Sequence, residues 1–591
     1  MFFGFCPIHS TPTLAGAEEA SLGKPRRGYF AAVPHLPPQW ALLRPHNDGA
    51  CFGLRGLMNG TSLRTSALIA TAATCLLLLA FGAHFALAQN VWIDESTQLS
   101  GATLGVGRLI SWLTGLREPA FGVPADRMPP ISYLIDAACY RTVCAAPTAW
   151  RFLHLAFAVA GAGVATWAVA RRHGLVAGLV TGLFLALSAK LAELGVEIRA
   201  YPIFFAITCV QIAWLWRLVE AERLTARGLG LFLLLGLASA YTHFFGLVSS
   251  MALFTGLFVA RVRSVRDALA VVGAAAVLVV LCAGLAPFIM TASAISNDLA
   301  QTDNSAHGIA LYFLRLVGQP ANVVSPAGAA LFLAPLGLLL VLALVRAGLG
   351  FRAEGEAYRR GMLTALLVAL ASGIAVTLLA SFVAKGFNPL KPTYSFWVLP
   401  VLAVVLGLVC APDGAPAWLR RAAAALAVLM LAGAAVGQAT MLRHAGWFVH
   451  APSSAIRAAV GDTPADTAIV YEGAWGYGFF PTYYYYHAAL DQWLVTPEGE
   501  LRKIALGGDP VAADPSILAT KRRIILVRIT LRDYHDLRAL QAGRPDHGGG
   551  NAAGEGLPAG QPAFDHLAAT ARITNPGLYW ADITTYERTA R

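Results

Sequence analysis

Two adjacent carboxylates follow the first long apolar stretch of this 591-residue chain. Asp94 and Glu95 stand in "NVWIDESTQLSGA", where a hydrophobic run gives way to polar residues. A carboxylate at such a boundary can take a proton from a hydroxyl nucleophile and so act as a general base. The pair can also be the solvated end of a helix, and residue types alone favour that simpler interpretation.

Residues able to bind phosphate or a metal ion recur in three later connections. They are Glu197, Arg199 and Tyr201 in "EIRAYP", His243 in "THFFG", and Lys385, Lys391 and Tyr394 in "KGFNPLKPTYSF". Arginine and lysine can hold a phosphate and stabilise its developing charge, whereas glutamate and histidine can bind a divalent ion. Structural roles stay open at this point: an interfacial Glu197–Arg199 ion pair, a turn histidine, and lysines that reach to a membrane surface.

The composition of the chain is that of an integral membrane protein. It is 57% hydrophobic and 13% charged, with a mean hydropathy of +0.59, whereas soluble domains average about 25% charged residues. The net charge of +11 lies mostly in short arginine-rich connections between apolar runs, which is the pattern of cytoplasmic membrane loops. This distribution argues against a nucleic-acid partner.

The apolar runs predict eleven transmembrane helices, since a span needs about 20 apolar residues. We expect them at 65–88, 149–170, 174–190, 200–218, 228–241, 244–260, 267–290, 327–346, 362–384, 394–411 and 421–440. The stretch 228–260 is long for one span and has arginines on both flanks, so we divide it at "YTH", residues 241–243.

The arginine-rich connections predict the orientation, with a cytoplasmic N-terminus and an external C-terminus. The outer connections are then 89–148, 190–199, 241–244, 291–326 and 385–393. All the candidate residues above consequently fall on the same, outer face of the membrane.

The two ends of the chain differ in composition from the spanning region, 64–440. Residues 1–63 are predicted to be a disordered or mis-annotated extension, and Met58 is a candidate start site that an intact-mass measurement would test. Residues 441–591 predict a soluble α/β domain, with strands at "DTAIVYEG" and "KRRIILVRITL" and helices at "SSAIRAAVG" and "HDLRALQAG".

The eight cysteines are too scattered to predict a disulfide framework or a zinc site. Cys139 and Cys144 fall in one outer loop, where a disulfide is one possibility in an oxidising compartment. The cysteines within apolar runs are expected to be buried thiols.

Four short stretches in one order carry a family resemblance: "WIDES", "MPPISYLI", "EIRAYP" and "THFFG". Over 64–440 the sequence resembles polyprenyl-phosphate-dependent glycosyltransferases of the GT-C fold. More narrowly, it resembles the bacterial branch related to protein O-mannosyltransferases and aminoarabinose transferases. It departs from that pattern before the proline pair, where the family usually has histidine or a similar residue and this sequence has Arg127 and Met128.

The resemblance implies a bacterial inner-membrane enzyme with a periplasmic active site. Such enzymes move a sugar from a polyprenyl phosphate to a hydroxyl of a lipid, glycan or protein, usually with inversion. The implied roles are Asp94 as base with Glu95 beside it, Arg199, Lys385 and Lys391 for the donor phosphate, Arg127, Tyr201 and Tyr394 for substrate, and Glu197 and His243 for a divalent metal ion.

A polytopic lipid or polysaccharide transporter without transferase chemistry is the alternative from another class. Such a protein is expected to show internal repeats and polar residues at mid-membrane depth. The sequence shows no internal repeat, and its acidic residues stand at span ends.

Overall fold

The computed structural model describes most of the chain with interruptions. The described residues are 51–89, 91, 93–115, 128–144, 146–295, 303–317, 326–354, 361–383, 389–412, 415–443, 453–472, 490–495, 500–504, 511–531, 564, 566–575 and 579–589. They belong to two units, Met1–Thr61 and Ser62–Arg591.

Eighteen helices are described within these ranges. They are α1 Cys51–Ala88, α2 Ile93–Thr103, α3 Val106–Leu113, α4 Pro130–Tyr140, α5 Pro147–Ala186, α6 Ala189–Leu194, α7 Tyr201–Glu220, α8 Ala226–Thr242, α9 Phe245–Arg261, α10 Val265–Leu281, α11 Ala286–Ile295, α12 Ala306–Val317, α13 Pro326–Glu354, α14 Met362–Val383, α15 Val398–Val409, α16 Ala417–Arg443, α17 Ser453–Val460 and α18 Ser516–Ala519. A short 3-10 helix, Cys282–Leu285, joins α10 to α11.

Seven helical stretches in the described chain are long and apolar enough to cross a membrane. They are Ser62–Ala88, Pro147–Ala186, Tyr201–Glu220, Val265–Met290, Ala330–Gly350, Met362–Val383 and Ala417–Arg443. The apolar helices α8, α9, α12 and α15 are shorter, and α15 is buried along its whole length. The protein is therefore a multi-pass α-helical membrane protein, as its composition predicts.

The predicted division of 228–260 is confirmed, because α8 ends at Thr242 and α9 begins at Phe245. The two helices meet so closely that a Cβ atom at Gly246 would collide with the Ser239 carbonyl. Glycine at this position lets the chain reverse direction within two residues, and it leaves His243 at the turn.

The predicted span 149–170 and most of the predicted span 174–190 fall within α5, which ends at Ala186 and which Gly174 interrupts with a φ of 84°. This left-handed conformation suits glycine, which has no Cβ atom. Gly178 lies against Ala170 and Gly182 against Thr166, so the two halves pack antiparallel. The arginines near Gly174 therefore lie at the opposite end of the first half from its start at Pro147.

The outer connection 89–148, predicted only as a loop, contains the three helices α2, α3 and α4. Pro130 stands in the first turn of α4, where proline lacks only an N–H group that would have no helical partner. Cys139 and Cys144 form a disulfide at the end of α4. The next long connection, 291–326, likewise contains a helix, α12.

A seven-stranded sheet lies in the C-terminal region, with the order β4-β3-β2-β1-β5-β7-β6. Its strands are β1 Thr467–Glu472, β2 Asp491–Val495, β3 Leu501–Lys503, β4 Val511–Ala512, β5 Arg523–Leu531, β6 Leu567–Asn575 and β7 Tyr579–Arg588. Strand β1 is parallel to β2 and β5, and the remaining pairs are antiparallel. This agrees with the predicted α/β character.

Alternate residues of β1 belong to two different cores, as expected for a strand covered on both faces. Ala468 and Val470 pack in one cluster, whereas Ile469 and Tyr471 pack in the other. The predicted strands at β1 and β5 and the predicted helix at α17 are confirmed. The predicted helix "HDLRALQAG" lies outside the described residues.

Candidate active site

Asp94 lies in the first turn of α2 and is half-buried. Its backbone carbonyl accepts a hydrogen bond of 3.1 Å from the Arg199 guanidinium. Within the described part of the chain, its carboxylate makes neither a hydrogen bond nor an ion pair. A helix N-terminus stabilises a negative charge, and no described residue binds this carboxylate.

Glu95, the next residue, is fully engaged with the protein. Its two carboxylate oxygens accept hydrogen bonds of 2.8 and 2.7 Å from Arg151, and both side chains are 1% exposed. The Ile198 amide donates a further bond of 2.9 Å to the same carboxylate. Glu95 therefore ties α2 to α5 and to the segment 195–200.

Arg151 extends this network to the backbone around the site. It donates to the Val196 carbonyl at 3.3 Å and to the side-chain oxygen of Gln89 at 3.2 Å. Removing one member of a buried, hydrogen-bonded ion pair costs about 3–5 kcal/mol. The arrangement fixes the chain on both sides of Asp94.

A second buried polar contact follows one helical turn along the same helices. Gln98 donates to one oxygen of Asp136 at 2.8 Å, and the other oxygen lies 2.8 Å from Nε2 of His154. Gln98 is three residues after Glu95, and His154 is three residues after Arg151, so the same faces of α2 and α5 continue their contact through α4.

Glu197 and Arg199 lie in the connection 195–200, outside the spanning helices, and both are buried. The Glu197 carboxylate forms no ion pair or hydrogen bond with a described residue. Burial, and next the nearby Glu95 carboxylate, raise the pKa of Glu197 to about 8, while Arg199 acts in the opposite direction. Glu197 is therefore largely protonated at neutral pH.

His243 lies at the turn between α8 and α9 and is 2% exposed. Its Nδ1 accepts a hydrogen bond of 3.2 Å from the Phe245 amide, which leaves Nε2 to carry the proton of the neutral ring. Burial, and to a smaller extent the nearby Arg199 and Lys391, lower the pKa of His243 to about 3. Among described residues, Nε2 has no hydrogen-bond partner.

Aromatic rings surround the imidazole of His243. The ring of Phe204 stacks on it at 5.1 Å, and the rings of Tyr201 and Tyr394 lie at 5.5 and 5.7 Å. Lys391 is exposed, with its amine 5.3 Å from the centre of the Tyr394 ring. The structure thus brings together Arg199, His243, Lys391 and Tyr394, from three separate connections, in one cationic and aromatic cluster.

The architecture matches that of a solved bacterial membrane protein, the apo form of ArnT from Cupriavidus metallidurans. The alignment covers 88% of this chain and 98% of that chain, with 13% identity and a TM-score of 0.51. The chain has a GT-C fold. At this identity the likeness shows the fold alone and does not show the activity of this chain.

Two further solved structures are similar at lower scores. ArnT from the same organism bound to undecaprenyl phosphate gives 12% identity, a TM-score of 0.46, and coverage of 88% of this chain and 97% of that one. The archaeal oligosaccharyltransferase AglB from Archaeoglobus fulgidus, solved with an inhibitory peptide and a dolichol-phosphate, is 10% identical with a TM-score of 0.40. The alignment covers 80% of this chain and 70% of that one. No protein-family model matches the sequence, and no curated protein matches it.

The structure does not place every predicted site residue. Arg127 and Lys385 lie outside the described residues. In the parts of the chain that are described, no group of three or more His, Cys, Asp or Glu side chains is arranged to hold a metal ion. The predicted metal ligands Glu197 and His243 are two side chains of these types, one fewer than the smallest such group.

Sequence reasoning missed Arg151, Asp136 and His154, which position the site. The available signal was a charged residue inside a predicted span, in "TAWRFLHLAF", since such residues are rare and usually paired. The spacing of three between Arg151 and His154 would have placed both on one helix face. Their partners in α2 and α4 could not be identified from spacing alone.

Proposed function

We propose that this chain is a glycosyltransferase that moves a sugar from a polyprenyl-phosphate donor to a hydroxyl of a lipid, glycan or protein. The observation that carries the proposal is the contrast between two adjacent carboxylates. Glu95 is buried in a bidentate ion pair, whereas the half-buried Asp94 carboxylate has no partner among described residues. Glu95 therefore has a structural role, and Asp94 is the carboxylate that can act as the base.

The transfer step follows from these positions. Asp94 takes the proton of the acceptor hydroxyl, whose oxygen attacks the anomeric carbon of the sugar. The bond between that carbon and the phosphate oxygen breaks, and its electron pair leaves with the polyprenyl phosphate. Attack from the face opposite the phosphate inverts the configuration.

Positive and hydrogen-bonding groups would stabilise the departing phosphate. Arg199 and Lys391 both lie close enough to His243 to lower its pKa, so the two cations belong to the same cluster. The Nε2–H group of His243, buried with no described partner, supplies a neutral donor there. Donors fixed before the reaction stabilise charge that develops during it.

We also propose that a divalent ion can bind at this cluster. Glu197 and His243 would hold it, with water or phosphate oxygens completing the coordination. In that state Nε2 of His243 would bind the ion through its lone pair instead of donating a hydrogen bond, with the ring proton on Nδ1 and the hydrogen bond from the Phe245 amide lost. The ion would stabilise phosphate charge, and it would hold Glu197 ionised despite burial. Transfer that persists unchanged after exhaustive chelation would exclude a required exchangeable ion.

The proposed setting is a bacterial inner membrane, with the site on the periplasmic face. The arginine-rich connections on the opposite side support this orientation. Protease or cysteine-labelling access to the C-terminal sheet from the periplasm would test it.

The test of the function is sugar transfer from a lipid-linked donor by purified full-length protein. Asp94→Asn keeps the size of the side chain and removes the base, so we expect transfer to fall by at least about 100-fold. Glu193→Gln is a matched control, since Glu193 is a partly exposed acid in the same outer region, paired with Lys190. Equal transfer by the Asp94→Asn variant and the wild type would overturn the assignment.

A further inference from the structure

A second site lies at the other end of the spanning helices. A cleft of about 960 Å³ is bounded by α1, α5 and α7, and its rim includes Arg171, Arg172 and Arg217. Arg151, at the candidate active site, and Arg171 are twenty residues apart on α5. At 1.5 Å per residue they are about 30 Å apart, the thickness of a membrane hydrocarbon core.

Apart from its charged rim, the lining of this cleft is mostly apolar. Ala160 and Gly163 of α5 and Ala213 of α7 line it, together with Cys75 of α1. A Cβ atom at Gly163 would come within 3.0 Å of the Cys75 sulfur. Gly163 thus lets α1 pack closely against α5 at the base of the cleft. The half-buried or exposed Ala160, Val210 and Ala213 give the cleft an apolar surface that is suited to a hydrocarbon chain and offers little to a free anion.

The rim of the cleft has more positive than negative side chains. Arg172 pairs with Glu220 through bonds of 2.8 and 2.9 Å. Arg217 is exposed and stacks 5.2 Å from the centre of the Trp214 ring. Arg171 is exposed and has no acidic partner in the described ranges. Two guanidinium groups therefore remain available at the rim of the cleft.

We propose that this cleft binds an anionic phospholipid of the surrounding membrane. Its headgroup phosphate would lie between Arg171 and Arg217, because guanidinium groups bind phosphate oxygens through paired hydrogen bonds. One acyl chain would lie against the apolar lining of the cleft near Ala160. The site lies on the face that the arginine distribution predicts to be cytoplasmic, where anionic lipids concentrate. It is separate from Asp94 and does not rest on sugar transfer.

Native mass spectrometry of the full-length protein, titrated with phosphatidylglycerol, tests the proposal. The double variant Arg171→Gln/Arg217→Gln should retain this lipid about 30-fold more weakly, from the usual contribution of two arginines at a membrane surface. Ala160→Phe fills part of the cleft and keeps every charge, and it should also weaken binding. The control Arg223→Gln/Arg266→Gln removes two exposed arginines outside the cleft, so binding should not change.

The other possible occupants define the outcomes that contradict the proposal. Equal phosphatidylglycerol binding by the cleft and control double variants would overturn it. So would equal retention of phosphatidylethanolamine, because a site that ignores net charge would not need the arginines. Stronger retention of a polyprenyl phosphate would assign the cleft to that lipid, and displacement by inorganic phosphate at equal concentration would assign it to a free anion.

Discussion

Two arginine–glutamate pairs join α5 to its neighbours, one at each end of the same helical segment. Arg151 and Glu95 approach to 2.7 Å with both side chains 1% exposed. Arg172 and Glu220 approach to 2.8 Å with side chains 25% and 50% exposed. The two pairs have similar distances, so they differ mainly in their exposure to solvent. Burial makes the first pair a fixed support of the site, whereas water and salt screen the second.

The largest expected effect is on the buried pair. Arg151→Met leaves the Glu95 carboxylate buried without its counterion, and we expect the free energy of unfolding to fall by about 3–5 kcal/mol. Thermal unfolding of the purified variant would measure this loss. Adding Glu95→Leu to Arg151→Met should recover part of the stability, since no stranded charge remains. A double variant no more stable than Arg151→Met would contradict the pairing.

A neighbouring contact on the same helix should have an intermediate effect. Asp136→Asn weakens the buried hydrogen bonds to His154 and Gln98, and we expect a loss of about 1–3 kcal/mol in unfolding free energy. The same thermal measurement applies. A loss as large as that of Arg151→Met would mean that charge burial is not what distinguishes the Arg151–Glu95 pair.

The apolar helices and the strands β1 and β5 could be predicted because each depends on a local pattern, whereas β2, β3, β4, β6 and β7 were not predicted. About twenty apolar residues suffice to identify a span, and the arginines around 228–260 correctly divided it into α8 and α9. The helices α2 to α4 were not predicted, because the connection between Gln89 and Thr148 lacks a long apolar run.

The candidate residues could be identified by type, but their roles could not. Asp94 and Glu95 are equivalent in the sequence, and only contacts with residues 56 and 103 positions away distinguish them. The clustering of Tyr394 with His243 likewise depends on tertiary packing between distant connections. Such pairings leave no periodic signal in a single sequence.

The pH dependence of stability would show whether burial raises the pKa of Glu197, which has no ion-pair partner among the described residues. The folded pKa of Glu197 is raised to about 8, so the folded state holds a proton that the unfolded state has lost above about pH 4.3. Stability should therefore fall as pH rises from about 4.5 to 8 and level off above that range. Glu197→Gln should show a smaller fall in melting temperature, measured with a chelator present. Identical pH profiles would contradict the burial of an uncompensated carboxyl group.

The smallest effect is expected at the exposed pair. Arg172→Met should change the free energy of unfolding by about 0–1 kcal/mol, because a solvent-exposed ion pair contributes little. The measurement is again thermal unfolding, repeated at low and high salt. A loss comparable to that of Arg151→Met would contradict the conclusion that burial makes the Arg151–Glu95 pair the more stabilising of the two.

The most direct test compares Asp94→Asn with Glu95→Gln in the same protein, measuring both sugar transfer and melting temperature. We predict that Asp94→Asn abolishes transfer with little change in melting temperature, because the Asp94 carboxylate makes no hydrogen bond or ion pair in the described structure. Glu95→Gln should instead lower the melting temperature, because it breaks the buried pair with Arg151. Normal transfer by the folded Asp94→Asn protein would contradict the assignment of Asp94 as the base.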